Sequence, residues 1–129
     1  PLSLALGLVS HFLRDILIPY GIFIVVGFIA IVVTRYIGPK KLAVAVLAVT
    51  HGVAGLTIFI LPFILVIQGN VLVGFAFVGI GGMLIGLVGL SLSFLKAGKP
   101  LLSRERILAF FPGLLLLTTA AFVAGFAFI

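Results

Sequence analysis

Residues 41–68 read KLAVAVLAVTHGVAGLTIFILPFILVIQ. Past Lys41 the run holds one ionisable side chain, His51, and it exceeds the ~20 apolar residues that carry an α-helix across a hydrocarbon core of roughly 30 Å. In lipid the backbone must satisfy its own donors and acceptors, so such a run is a membrane-spanning helix.

The stretches on either side repeat the pattern. Upstream, a crossing is expected over about 16–37, with Tyr20 and Tyr36 near its ends, where amphipathic rings favour the headgroup level, and Pro19 in its first turn. Gly38, Pro39, Lys40 and Lys41 break that helix and begin the next. Pro62 should release the carbonyl of Ile58 and bend the outer third of the second crossing. Downstream, Gln68, Gly69 and Asn70 form a turn short enough to make the second and third helices antiparallel neighbours. The expected fold is therefore all-α and integral to a membrane, one domain over 1–129. It is an up-down bundle of four transmembrane helices at about 16–37, 41–68, 71–95 and 107–129.

Composition agrees with this class. The chain is 64% hydrophobic and 8% charged, with a mean hydropathy of +1.58. Nothing outside the apolar runs is long enough to bury a soluble core. Cysteine is absent, which excludes disulfides, thiolate metal sites and cysteine nucleophiles.

Residues 1–15 are too short and too polar to span. Ser3, Gly7, Ser10, His11 and Arg14 make a narrow polar stripe on an apolar helix, suited to the membrane interface. A secretory signal carries its basic end first, whereas here Arg14 and Asp15 come last, so the segment reads as part of the fold.

Charge sets the expected orientation. Of the 8 Lys and Arg residues, Arg14 stands apart, while Arg35, Lys40, Lys41, Lys96, Lys99, Arg104 and Arg106 gather at the first and third connections. Cationic loops favour the cytoplasmic side, so loops 38–41 and 96–106 are expected there, both termini opposite, in a prokaryotic plasma membrane or an organellar inner membrane. A net charge of +6 on such a chain is a topology signal rather than a nucleic-acid footprint, with affinity for anionic lipid headgroups as a second consequence.

Small residues predict a packing seam. Gly79, Gly82, Gly86 and Gly89 step by three, four and three along the third crossing, and Ala45, Ala48, Gly52 and Gly55 repeat those steps on the second. Close backbone approach in lipid depends on such stripes, so the two are expected to face each other. Thr118, Ala121 and Gly125 offer a further small-residue line in the last crossing.

Little chemistry is available. Asp15 and Glu105 belong to opposite membrane faces in this topology, so no intrachain acid and base pair can form. No phosphate-binding loop or His-Glu-x-x-His motif occurs, so an enzyme of known type is hard to assemble from the chain. Thr34, Thr50, Thr57, Thr118 and Thr119 are read as bonding their own helix carbonyls or a neighbouring helix.

His51 stands out, about ten residues from Lys41 and hence near the bilayer midplane. Three roles are open to it: a neutral imidazole hydrogen-bonded across the bundle, an axial ligand to haem or another tetrapyrrole, and a proton-relay or quinone contact. His11 lies outside the first crossing and His51 roughly 25 Å below the outer end of its own, so the two cannot share one iron. Met83 has a suitable depth, but its wheel angle places it across the seam from His51. A tetrapyrrole at His51 would need its second ligand from another subunit.

The run His51, Gly52, Val53, Ala54, Gly55, Leu56 resembles, over six residues, the His-x-x-x-Gly-apolar pattern of haem-ligating membrane anchors of succinate dehydrogenase. Those anchors have three crossings and follow the pattern with charged residues, whereas Thr57 to Phe63 is uncharged here, so no family is assigned on it.

The function expected from these features is a non-catalytic accessory or scaffold subunit of a larger membrane complex, with respiratory or other energy metabolism as its setting. A small homo-oligomeric transporter or channel is the alternative, and an embedded enzyme completed by partner residues a third. The partners expected are the lipid bilayer and other membrane subunits, with no nucleic acid.

Overall fold

The computed structural model describes residues 1–96 and 98–129, with all their side chains but those of Ser93 and Lys96. The elements are α1 (Leu2–Phe12), α2 (Leu17–Tyr36), α3 (Lys40–Ile67), α4 (Ala76–Lys96) and α5 (Arg104–Phe126), with 3₁₀ turns at Arg14–Ile16 and Val73–Phe75. Four spans, Arg14–Tyr36, Lys40–Ile67, Val73–Leu92 and Arg104–Phe126, are long and apolar enough to cross a membrane. The chain is an integral membrane protein preceded by a short apolar helix, as its hydropathy predicts.

The breaks have local causes. Gly69 and Gly98 take left-handed backbone conformations, φ 72° and 75°, which suit a residue without Cβ. Beyond Gly69, the Asn70 amide reaches back to the carbonyl of Leu65 at 2.9 Å, and beyond Gly98 the Lys99 amide reaches Phe94 at 3.1 Å. Both helices thus end in the six-to-one closure that satisfies orphan carbonyls. Pro39 begins α3, its carbonyl accepting from the amides of Leu42 and Ala43.

Two boundaries differ from the sequence reading. The last helix starts at Arg104, three residues before the expected 107, because the hydroxyl of Ser103 accepts from the Arg106 amide at 3.4 Å and caps it. Glu105 then falls in the first turn, where a carboxylate complements the helix dipole. At the other boundary, the third crossing enters through the turn Val73–Phe75 and becomes α-helical only at Ala76.

The chain forms two compact units, Pro1–Ile58 and Phe59–Ile129. Their boundary falls at Ile58, the residue whose carbonyl Pro62 leaves without its helical donor, although α3 runs on as helix to Ile67.

In the first unit the turn before α2 sends that helix back along α1, and Leu6 lies 3.9 Å from where a methyl group on Gly21 would stand. Ala5, Leu8 and Val9 of α1 are buried. Its polar edge, Ser3, Gly7 and Ser10, borders a groove of about 750 Å³ shared with α2.

In the second unit α4 and α5 run antiparallel with glycines set against aromatic rings. A methyl group on Gly81 would stand 2.8 Å from the Phe122 ring, one on Gly74 would overlap Phe128, and one on Gly125 would lie 2.6 Å from the backbone nitrogen of Val78. Phe75 and Phe126 meet edge to face at 6.0 Å between ring centres. Lipid tails are as apolar as these side chains, so this interlocking and its dispersion energy, not the hydrophobic effect, hold the pair.

Candidate functional site

Inside the spans, polar groups gather on the α2–α3 pair. Tyr20 donates its hydroxyl proton to Thr57 Oγ1 at 2.9 Å, and Thr57 donates in turn to the carbonyl of Val53 at 2.9 Å. Tyr20 lies near the start of α2, and its hydroxyl bonds the neighbouring helix. Seven residues further along each helix, Thr50, only 3% exposed, lies on Gly27, where a methyl group would stand 2.5 Å from Thr50 Cγ2. Ile24 and Ala54, both buried, lie between these two contacts in sequence. The seven-residue step on both helices matches one turn-pair of each, so a single face of α3 meets α2.

The other hydroxyls divide. Thr34 bonds the Ala30 carbonyl at 2.7 Å and Thr119 the Leu115 carbonyl at 2.9 Å, as read from sequence. Thr118 is 5% exposed, and its Oγ1 has no hydrogen-bond partner among the described residues.

His51 follows Thr50 by one residue, so its side chain is turned about 100° from the α2-facing side. It is exposed and makes no hydrogen bond among the described residues. Counted from Lys40 it lies about 16 Å up the helix, at mid-depth.

The small residues expected to form a seam divide between exposed and buried positions. Ala45, Ala48 and Gly52 are exposed and Gly55 half-buried, on the side of α3 roughly opposite Thr50. A methyl group on Gly52 or Gly55 would meet nothing within 4 Å. On α4, Gly79 and Gly82 are buried, while Gly86 and Gly89 are exposed. Gly79 packs on the outer end of α3: a methyl group there would lie 2.5 Å from the Phe63 ring and 2.8 Å from the Phe59 carbonyl oxygen. Phe59, seven residues beyond Gly52, continues the same stripe of α3.

The α2–α3 contact through Tyr20, Gly27, Thr50 and Thr57 was missed in the sequence. Its signal was the matching spacing, Tyr20 to Gly27 and Thr50 to Thr57. Among the described residues no three His, Asp or Glu side chains come together as a metal site. Comparison with protein-family models, with curated proteins and with solved structures found no match to the chain.

Proposed function

We propose that the chain is a lipid-embedded scaffold subunit that docks into a larger membrane assembly through one side of α3. The observation carrying this reading is the exposed imidazole of His51 at mid-depth, beside the exposed small residues Ala48 and Gly52. An ionisable group at that depth is costly when it faces hydrocarbon alone. A partner helix seated on the small-residue stripe would approach its backbone closely and bring a polar group, or a group held by the partner, to His51.

Such an assembly also accounts for how little of each span the chain covers itself. Between 11% and 33% of an apolar 18-residue stretch in each crossing is buried. In the same reading the cation-bearing connections, 38–41 and 96–106, face the cytoplasm by the positive-inside bias.

Purification in mild detergent with a subunit list and an optical spectrum tests the proposal. A stable complex with other polypeptides supports it. A uniform homo-oligomer with no other subunit would replace it with the channel or transporter reading.

A further inference from the structure

The halves of α4 and α5 nearest the 98–106 connection bury Val88 and Ile107 but are not sealed along their whole length. They leave a groove of about 240 Å³ bordered by Leu84, Val88 and Ser91 on α4 and by Leu102, Ile107 and Phe110 on and before α5. The volume falls below the roughly 300 to 1,000 Å³ of sites that enclose drug-sized ligands, and suits a slender apolar group. From Ser91 to Leu84 the wall runs about 10 Å along the helix axis, the direction in which lipid chains lie.

The chain that borders its loop end is rich in cations. Leu102 and Ile107 sit in a stretch that also carries Lys99, Arg104 and Arg106, all exposed and without an ion pair among the described residues. Glu105 is the one carboxylate among them and leaves an excess of positive charge. The larger groove between α1 and α2 lacks this asymmetry, since the charged residues nearest it in the chain are Arg14 and Asp15, of opposite sign.

From this pairing of an axial apolar groove with unpaired cations in the chain that borders its loop end, we infer that the α4–α5 groove binds an anionic phospholipid. One acyl chain lies between the helices, and the phosphate sits among Lys99, Arg104 and Arg106. Charge complementarity selects the headgroup, while the groove separates a bound lipid from the general attraction of a basic loop for an anionic surface.

The chain contains no Trp, so Phe110→Trp places a single fluorophore in the groove wall, and Phe28→Trp places one on the exposed surface of α2 as a comparison. Each variant of the whole chain is reconstituted in phosphatidylcholine bilayers doped with brominated phosphatidylglycerol or brominated phosphatidylcholine, and quenching is measured. The fluorophore at position 110 should be quenched several-fold more effectively by the phosphatidylglycerol, with the preference falling as salt rises. Adding Lys99→Gln, Arg104→Gln and Arg106→Gln should bring that several-fold preference down towards parity. Equal quenching by the two lipids at position 110 would overturn the inference, and so would an equal phosphatidylglycerol preference at position 28. The salt titration needs no charge variant, so the outcome does not depend on whether the triple variant folds.

Discussion

Tyr20 and Thr57 share a hydrogen bond of 2.9 Å, and seven residues along each helix Gly27 lies under Thr50, so a polar contact and a steric one fix the same pair of helices. The two contribute differently. A hydrogen bond between membrane helices is worth about 0.6 kcal/mol on average, because the separated helices find other partners. Tyr20→Phe should therefore lower stability in detergent only slightly, as measured by reversible unfolding.

Gly27→Ala should have the larger effect. The new methyl group would stand 2.5 Å from Thr50 Cγ2 in a buried contact, and overpacking of this kind costs typically about 1–3 kcal/mol. Thr50→Ser removes that Cγ2, so the double variant should recover part of the loss. A double-mutant cycle showing no coupling between positions 27 and 50 would show that the contact is absent.

Glycines in the second unit should divide in the same way. Gly125→Ala drives a methyl group into the backbone nitrogen of Val78, which cannot rotate away, and should destabilise the isolated chain by about 1–3 kcal/mol. Gly86→Ala meets nothing within 4 Å and replaces a residue that weakens a helix interior relative to Ala, so the isolated chain should be unchanged or slightly more stable. If both variants unfold at the same denaturant concentration, the α4–α5 interface is misplaced.

Thr118 offers a test of opposite sign. A buried hydroxyl without a partner costs about 1–3 kcal/mol, so Thr118→Val should leave stability equal or raise it. A clear loss on that substitution would reveal a partner for the hydroxyl.

His51→Ala separates stability from assembly. The imidazole has no hydrogen bond among the described residues, so the isolated chain should unfold as before. Recovery of partner subunits, or the absorption of any chromophore they hold, should fall. Unchanged subunit recovery and an unchanged spectrum would remove His51 from the docking surface.

Most of the fold was legible in the sequence because hydropathy and chain breakers act locally. Gly38 with Pro39, Gly69 and Gly98 end or begin helices through their own backbone geometry, whatever packs around them. The start of α5 was misread for a specific reason: the cations around Ser103 resemble a solvated loop, and the cap outweighs them. Which face of α3 meets α2 was harder to read. In lipid both the protein-facing and the lipid-facing sides of a helix are apolar, so periodicity carries no inward direction. The stripe from Ala45 to Gly55 carries the conspicuous small-residue spacing, whereas the contact with α2 rests on two threonines, a glycine and a tyrosine. The hydroxyl of Tyr20 can serve a headgroup or a helix, and its bond to the neighbouring helix follows from the position of Thr57, which hydropathy does not reveal.

The packing described here joins elements that follow one another along the chain: α1 with α2, α2 with α3, the end of α3 with α4, and α4 with α5. A chain whose contacts are local loses little loop entropy in forming them, which favours rapid folding. Each helix emerging during synthesis already has its neighbour before it, so pairing can keep pace with translation and need not wait for the last span. A ribosome stalled late enough for α3 to have cleared the exit tunnel would then carry a nascent chain in which Tyr20 is already bonded to Thr57.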